Sequence, residues 1–201
     1  MKFHQKRKMG IIIAMKGHPG TGKSTLGESI ASALKLPLLD KDDIRDCTFS
    51  LQHSLSPHTP SASSLLNDLS YCAIWQIAST QLRLGLPGLV IVSPLSRRAH
   101  LDRLLELASS HGARVVIVEC KPKDELEWRR RLERRGEAEW HKPSTWQEME
   151  RLLDEYAGCT EYEVGEVPKI VVDTTASVSF DELVSSVVDF ICSHAPPLDE
   201  Y

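Results

Sequence analysis

The sequence predicts a doubly wound α/β domain, in which a parallel sheet carries helices on both faces. Five short apolar runs alternate with longer segments whose apolar residues recur at helical spacing. The runs are apolar at consecutive positions, which is typical of parallel strands covered on both faces. They are GIIIAM (10–15), LPLLD (36–40), GLVIV (88–92), RVVIVEC (114–120) and KIVVD (169–173). Such a sheet binds its ligands at the carboxyl ends of its strands.

Three helices are predicted from apolar faces. The first face comprises Leu65, Leu69, Ala73 and Ile77, the second Leu101, Leu104, Leu105 and Ala108, and the third Phe180, Leu183, Val184, Val187, Val188 and Ile191. The segment 50–64 is rich in serine, proline and histidine, which predicts a surface loop.

Composition limits the architecture and the setting. A chain of 201 residues suffices for one well-packed domain and is short for two. The net charge of −4 gives no general attraction for nucleic acid, and no apolar run approaches the roughly 20 residues that span a bilayer. The five cysteines are odd in number and widely spaced, which favours a reducing compartment. We therefore expect a cytoplasmic protein without a membrane partner, and the sequence indicates no particular oligomeric state.

One domain is expected over residues 10–194, between a basic tail (1–9) and a short C-terminal tail (195–201). Within it, a charged excursion over about 125–158 precedes the fifth strand and is predicted to form two helices around a turn. Ser144 is the expected N-cap of the second helix, because a glutamine follows three residues later.

The first strand leads directly into GHPGTGKST, which matches the phosphate-loop pattern G-x-x-x-x-G-K-[ST]. Glycines let successive backbone N–H groups turn toward phosphate oxygens, and the following helix adds its positive end. Lys23 would bridge the β- and γ-phosphates of ATP, and the Ser24 hydroxyl would ligate Mg²⁺. His18 occupies a variable position and is expected to be exposed. The expected nucleotide-binding residues are Gly17, His18, Pro19, Gly20, Thr21, Gly22, Lys23, Ser24 and Thr25.

Missing elements exclude two classes of nucleotide-binding protein. Guanine-specific switches read the base with Asn-Lys-x-Asp, and the single asparagine, Asn67, is followed by Asp68. Motor ATPases and helicases need an apolar strand that ends in Asp-Glu. None of the five apolar runs ends in this dipeptide. A small phosphotransferase remains.

An acidic cluster, DKDDIRD, follows the second strand. We expect the tip of this strand to lie beside the phosphate loop, where a carboxylate would take the proton of an attacking hydroxyl or hold water on Mg²⁺. Asp40, Asp42, Asp43 and Asp46 are the candidates. Arg45 would share a helical face with Asp42 and bind an anionic acceptor. The alternative is that Asp42 and Asp43 only cap a helix.

These motifs, with SPLSRR, RRRLERRG and VVDTT, make the chain resemble the P-loop kinases of the AAA_33 and zeta-toxin type, a group that includes polynucleotide 5′-hydroxyl kinases. The resemblance covers about residues 10–192. It implies a P-loop NTPase fold with a five-stranded parallel sheet, flanking helices and a helical arginine-rich lid. In the polynucleotide-kinase branch a similar stretch uses its first Asp as general base and its Arg on the acceptor. Carried over, these roles fall on Asp42 and Arg45.

An arginine-rich lid would supply positive charge to the transferred phosphate and exclude water. In EWRRRLERRGE, Arg131 and Arg135 fall four residues apart, and the resemblance to nucleoside-monophosphate-kinase lids favours these two as catalytic residues. The alternative is that the arginines pair with neighbouring glutamates on the surface. Trp140 and Trp146 are expected to pack the lid helices together, and the alternative is that they face the acceptor.

The ends of two further strands supply the remaining candidates. Asp173 and Thr174 follow the fifth strand and are expected beside the adenine. Related kinases often carry an Asp before the Ser-Pro that follows the third strand, where this chain has Val92 and Ser93. That departure shifts metal binding onto Ser24 with Asp42 or Asp43, or indicates weakened catalysis. Arg97 follows and would contact the acceptor or begin a solvated helix.

Three functions fit these features. The first is an ATP-dependent kinase of a small hydroxylated metabolite, with Asp42 as base and with Lys23, Arg131 and Arg135 stabilising the transferred charge. The second is a kinase of the 5′-hydroxyl of RNA or of tRNA, favoured by Arg45 and the basic tail and disfavoured by the net acidity. The third is a nucleotide-binding regulatory module with weak ATPase activity.

Overall fold

The computed structural model describes residues 9–55, 61–134 and 141–195. Its centre is an all-parallel sheet of five strands in the order β2-β3-β1-β4-β5. One strand coincides with each predicted apolar run to within two residues at either end, so the fold class and the strands are confirmed. The strands are β1 (Gly10–Lys16), β2 (Leu38–Asp40), β3 (Gly88–Val92), β4 (Ala113–Cys120) and β5 (Lys169–Val172).

Helices cover both faces of the sheet. Their bounds are α1 (Lys23–Leu34), α2 (Lys41–Asp46), α3 (Phe49–Leu55), α4 (Ala62–Arg83), α5 (Arg98–His111), α6 (Glu125–Glu133), α7 (Trp146–Tyr156) and α8 (Phe180–His194). Helices α1 and α8 pack on the face that presents Ile11, Ile13 and Met15 of β1. Helices α4 and α5 pack on the opposite face, against Ile12 and Ala14. No helix within the described ranges is both long and apolar enough to cross a membrane.

Strand β1 lies at the centre of this arrangement. It pairs with β3 along one edge and with β4 along the other, and its whole length from Gly10 to Lys16 is buried. Burial on both faces explains why its sequence is apolar at consecutive positions. The segment that follows β1 therefore emerges in the middle of the carboxyl edge of the sheet.

Helix α4 buries a face that is rotated by about one residue from the predicted one. Leu66 and Tyr71 are buried, whereas Leu65 and Leu69 are 56% and 51% exposed. The prediction of a buried Leu65–Leu69 face is wrong, because the large Tyr71 ring lies on the buried side. Ser70 is tolerated there because its hydroxyl donates to the carbonyl of Leu66 at 2.8 Å.

Part of the predicted loop over 50–64 is helical. Helix α3 and the start of α4 take up residues 50–55 and 62–64, and residues 56–60 lie outside the described part of the chain. None of the α3 side chains is buried. The polar residues of this segment predicted a loop, but they equally suit a short helix that lies on the surface.

The charged excursion contains the two expected helices, α6 and α7, although the second begins one residue later than expected. Thr145 is the N-cap of α7, and its hydroxyl accepts from the backbone N–H of Glu148 at 3.2 Å. The Glu148 carboxylate in turn accepts from the N–H groups of Thr145 and Ser144. A glutamate completes this capping box better than the predicted glutamine partner of Ser144, because a carboxylate accepts from several N–H groups at once.

Gly88 lets β3 approach β1 closely. A Cβ atom at this position would lie 2.6 Å from the backbone oxygen of Ile11 and 2.5 Å from its Cγ2 atom. We expect Gly88→Ala to lower the free energy of unfolding by about 1–3 kcal/mol, because the backbone of β1 would have to move. Urea denaturation measures this loss. Gly10→Ala is the matched control, since its Cβ would meet contacts of 3.4–3.6 Å. Equal losses in the two variants would contradict the interpretation.

Candidate active site

The phosphate loop leaves β1 at Gly17 and ends at Lys23, the first residue of α1. Gly17 has φ 142°, and a Cβ there would lie 2.5 Å from the carbonyl oxygen of Cys120, so glycine is required for this approach to β4. Lys23 Nζ and Thr21 Oγ1 both donate to the carbonyl of His18, at 2.7 and 2.8 Å. These bonds keep the loop curled over the N-terminus of α1, which is the geometry of a phosphate site.

Helix α6 is fastened to this loop through Trp128. Its indole N–H donates to the carbonyl oxygen of Pro19 at 2.8 Å. The His18 ring stacks on Trp128 with centroids 6.2 Å apart and lies 5.8 Å from the ring of Tyr156 in α7. His18 is therefore partly buried between two helices, and the expectation that it is exposed is wrong.

A cavity of about 360 Å³ adjoins the phosphate loop on the side of β5 and α8. Backbone amides of the loop, two guanidinium groups and apolar side chains of α8 surround it, which suits the base and phosphates of a nucleotide. Its polar lining comprises Gly20, Gly22, Thr25, Arg131, Arg134 and Thr174. The predicted nucleotide residues Gly20, Gly22, Thr25 and Thr174 thus come together with one of the two predicted arginines.

Arg131 connects the α6 helix to the loop that follows β5. Its Nη2 donates to the carbonyl of Thr174 at 3.0 Å, and its Nε lies 2.9 Å from Glu127. The Thr174 hydroxyl donates to the carbonyl of Thr21 at 2.9 Å. Asp173, which precedes Thr174, makes no such contact with the phosphate loop among the described hydrogen bonds. Its carboxylate accepts from the N–H groups of Thr175 and Lys123 and so joins the loops that follow β4 and β5.

The other arginines of α6 make surface contacts. Arg129 pairs with Glu125 at 2.5 Å and lies 4.4 Å from the centre of the Trp146 ring, while Arg130 is 3.9 Å from Glu127. Trp146 packs edge-on against Trp128, with centroids 5.2 Å apart, and so joins α7 to α6. The predicted residues Arg135 and Trp140 lie outside the described residues.

A larger cavity of about 680 Å³ lies on the other side of the phosphate loop. It brings together side chains that are far apart in the sequence and that were predicted for donor and acceptor. They are Lys23, Ser24, Asp42, Arg45 and Arg97.

Asp40 contacts the phosphate loop directly. Its Oδ2 atom accepts from Ser24 Oγ at 3.0 Å, and its Oδ1 atom accepts from the backbone N–H of Asp42 at 2.9 Å and caps α2. Burial raises the pKa of Asp40, although both hydrogen bonds favour its carboxylate form. The tip of β2 thus lies beside the phosphate loop as expected, although β2 is not the neighbour of β1 in the sheet, because β3 lies between them. The contact exists because Ser24, in the first turn of α1, faces the end of β2.

Asp42 is surrounded by two lysines and a histidine. Its carboxylate lies 2.7 Å from Lys41 Nζ, 2.8 Å from Lys142 Nζ and 3.4 Å from His141 Nε2. Burial raises the pKa of Asp42, but the hydrogen bond from His141 and the charges of Lys41 and Lys142 outweigh burial and lower it well below the usual range. Asp42 is thus a carboxylate at the wall of the cavity. Asp43 on the same helix is exposed.

Four residues on the cavity wall were not predicted from the sequence, namely Tyr71, His100, His141 and Lys142. Lys142 and His141 reach Asp42 from the segment before α7, and no sequence spacing relates them to it. Tyr71 of α4 stacks on His100 of α5 with centroids 4.0 Å apart. Ser93 is 3% exposed and lies beside the Tyr71 hydroxyl. Of these residues, only Tyr71 could have been found from the sequence. A correct assignment of the buried face of α4 would have included it.

Comparison of the sequence with known families adds to this geometry. The family model AAA_33, described as an AAA domain, matches residues 12–156. The chain belongs to this family. No curated protein shows significant similarity to the AAA_33 chain described here.

Solved structures share the fold of this AAA_33 protein. A candidate kinase from Chloroflexus aurantiacus j-10-fl superimposes with a TM-score of 0.71 at 22% identity, over 93% of this chain and 99% of that one. A gluconokinase from Sinorhizobium meliloti 1021 gives 0.59 at 24% identity, over 94% and 95%. The APS kinase of Mycobacterium tuberculosis, in complex with AMPPNP and APS, gives 0.54 at 16% identity, over 92% and 98%. The chain therefore has a kinase-like P-loop fold.

His18 makes stability depend on pH. Burial, followed by the charges of Lys23 and Lys16, lowers the pKa of His18 from 6.5 to about 4. The unfolded chain takes up a proton near pH 6.5 that the native protein takes up only near pH 4. We therefore expect the free energy of unfolding to fall as the pH decreases from 6.5 to 4, by up to about 1.4 kcal/mol per unit.

Denaturant titrations of the wild type and of His18→Phe between pH 4 and 8 measure this contribution. The variant keeps an aromatic ring against Trp128 but lacks the titrating group. The difference in free energy of unfolding between the two proteins should change below pH 6.5 and stay constant above pH 7. A difference that is constant over the whole range would contradict the assignment.

Proposed function

We propose that the protein is an ATP-dependent kinase that transfers the γ-phosphate to a hydroxyl group of a small molecule. The main support is the 680 Å³ cavity, because Lys23 and Ser24 of the phosphate loop line the same space as Asp42. Its volume suits a small ligand. Family membership and the kinase names of the structural neighbours agree with this function, and the gluconokinase favours a sugar-like acceptor.

The phosphate loop would bind the triphosphate of ATP. Its backbone N–H groups and the N-terminus of α1 would hold the phosphate oxygens, and Lys23 would leave the carbonyl of His18 to bridge the β- and γ-phosphates. The adenosine would lie toward the smaller cavity, beside Arg131 and Thr174. Arg131, with Arg134 and Arg135 in the proposed lid, would stabilise the charge of the transferred group.

Mg²⁺ fits the oxygens at the end of the phosphate loop. The Ser24 hydroxyl and the Asp40 carboxylate lie 3.0 Å apart, and such oxygens are the ligands that Mg²⁺ prefers. When bound, Mg²⁺ neutralises charge on the β- and γ-phosphates. We assign Ser24 as a ligand and Asp40 as the holder of a ligated water. Asp42 is less suited to this second position, because Lys41, Lys142 and His141 already surround it.

Asp42 would act as the general base. A hydroxyl of the acceptor would donate its proton to this carboxylate while its oxygen attacks the γ-phosphorus, and the bond to the β–γ bridging oxygen would break to release ADP. Lys142 would exchange its contact with Asp42 for one with the transferred phosphate as the acceptor enters. The low pKa of Asp42 keeps it ionised, so positioning and not basicity would dominate its contribution.

Two other functions retain specific support. A 5′-hydroxyl polynucleotide or tRNA kinase is favoured by Arg45, which lines the same cavity as Asp42. A regulatory module with weak ATPase activity is favoured by Val92, which is 1% exposed and precedes Ser93 and Pro94, where related kinases often carry a metal-supporting Asp. Phosphate transfer to RNA with a steep salt dependence would favour the first of these. Nucleotide binding without transfer to any acceptor would favour the second.

Asp42→Asn tests the proposed base. We expect phosphate transfer to fall by about 10²–10⁴-fold, because an amide cannot take up the proton, while ATP binding is retained. Single-turnover transfer and calorimetric titration with an ATP analogue measure the two effects separately. Asp43→Asn is the matched control on the same helix, since that side chain is exposed. Unchanged transfer by Asp42→Asn would show that another group is the base.

Asp40→Asn tests the metal assignment. The substitution removes the charge but keeps a side chain that can cap α2. We expect a higher Mg²⁺ concentration for half-maximal transfer and an unchanged affinity for the nucleotide in the absence of Mg²⁺. Transfer assays over a Mg²⁺ titration and binding measurements in EDTA provide the comparison. An identical Mg²⁺ dependence in wild type and variant would exclude Asp40 from the metal site.

A further inference from the structure

Positively charged side chains from several elements line the larger cavity, and we propose that the phosphate acceptor is a small hydroxylated anion, which carries a carboxylate or phosphate group beside its hydroxyls. The proposal rests on the kinase function above and names the chemical class of its acceptor. The charged groups belong to α2, to the start of α5, to the segment before α7 and to α7 itself.

The charge around the cavity is opposite to that of the chain as a whole. Six lysine and arginine side chains line the cavity against three carboxylates, whereas the chain has 24 basic and 28 acidic residues. A cleft with one predominant sign of charge concentrates ligands of the other sign. Lys23 would bind ATP, and both Lys41 and Lys142 pair with Asp42. The three arginines that line the cavity are the remaining basic groups.

Two arginines are available to bind an oxyanion. Arg97 is the N-cap residue of α5 and Arg151 lies in α7, so they line the cavity from different elements. Both are exposed, and neither guanidinium group forms a hydrogen bond or ion pair with another of the described residues. A guanidinium fork matches a carboxylate or phosphate with two parallel hydrogen bonds, whereas a neutral polyol offers no charge to complement it.

Arg45 keeps a positive charge within the wall of the same cavity. It is 2% exposed, and its guanidinium donates to the hydroxyls of Thr48 at 2.5 Å and of Ser63 at 3.2 Å. Burial lowers the pKa of Arg45, and the charges of Asp42 and Asp46 act in the opposite direction. The positive potential is therefore built into the packing of α2 and does not depend on mobile surface side chains alone.

Neutral polar groups complete the cavity. Ser63, Ser64, Asn67 and Ser96 line it with hydroxyl and amide groups, which can donate to or accept from the hydroxyls of a ligand. Pockets place such groups to set the orientation of a polar ligand. Charged and neutral groups together match an acceptor that has both an oxyanion and several hydroxyls.

Binding to the protein saturated with Mg²⁺ and a non-hydrolysable ATP analogue tests the proposal. The probes form matched sets that differ in charge: sorbitol, gluconate and sorbitol 6-phosphate, then glycerol, glycerate and glycerol 3-phosphate. Adenosine and adenosine 3′-phosphate represent the end of an RNA strand. Thermal shift gives a first ranking, because a ligand stabilises by mass action, and calorimetry gives the dissociation constants.

We expect at least one carboxylate or phosphate in the sugar-derived sets to bind and to accept phosphate, while its neutral counterpart does neither measurably. Preference for the carboxylate or for the phosphate member identifies which oxyanion the site takes. A neutral polyol that binds as tightly as its anionic partner would overturn the proposal. So would the absence of binding by every anionic polyol, or a response confined to adenosine 3′-phosphate.

The double variant Arg97→Gln, Arg151→Gln tests the residues. We expect its dissociation constant for the anionic acceptor to rise roughly 10- to 100-fold, the loss of hydrogen bonds to a charged group. Affinity for the ATP analogue should not change. Arg103→Gln is the control, because Arg103 lies on α5 but pairs with Glu106 at 2.9 Å away from the cavity. Unchanged acceptor affinity in the double variant would exclude these arginines as the oxyanion site.

Failure of this inference is distinguishable from failure of the kinase function. If the protein does not bind the ATP analogue, or if Lys23→Ala binds it as well as the wild type, the kinase function itself is wrong. If the analogue binds through Lys23 and a neutral molecule accepts the phosphate, the kinase function stands and the anionic acceptor is wrong.

Discussion

Strand β1 is hydrogen-bonded along both edges and covered on both faces, and this central position governs the rest of the molecule. A parallel strand in the middle of a sheet can end only at the carboxyl edge, so the phosphate loop emerges between the ends of β3 and β4. The close approach of Gly17 to the carbonyl of Cys120 follows from the same pairing. A cavity opens on each side of the phosphate loop. The chain segments that follow the neighbouring strands β3 and β4 leave the sheet in different directions and so leave space beside the loop.

The segment that contains α6 and α7 connects these two cavities. Trp128 holds α6 to the carbonyl of Pro19, while Lys142 holds the approach to α7 against Asp42. A displacement of this segment would therefore alter the smaller cavity, proposed for the nucleotide, together with the larger one, proposed for the acceptor. For a kinase this coupling is useful, because water must be kept from the γ-phosphate until the acceptor is in place. The stacking of His18 between the two helices brings the phosphate loop into the same assembly.

Parts of the site that depend on local sequence were predictable. The phosphate loop, the position of Thr174 and the presence of Arg45 near Asp42 follow from a strand end, a loop pattern or a helical spacing. Lys142 and Ser93 were not predictable in this way, because their roles come from contacts across the fold. Asp40 is an intermediate case: it was one of four equivalent carboxylates until its contact with Ser24 distinguished it. The buried face of α4 was also decided by contacts across the fold. Either Leu65 and Leu69 or Tyr71 could have faced the core, and Tyr71 is the one that is buried.

The sequence by itself determined the parallel sheet, the phosphate loop and the class of chemistry, because each depends on residues that are close together in the chain. Apolar runs specify buried strands, and glycines with a following lysine specify a loop that accepts phosphate. Only the tertiary structure decided which carboxylate meets Ser24, which side chains surround Asp42 and which arginines line the larger cavity. Those pairings join residues separated by up to about a hundred positions, and the order of the strands, which no local pattern encodes, decides which of them meet.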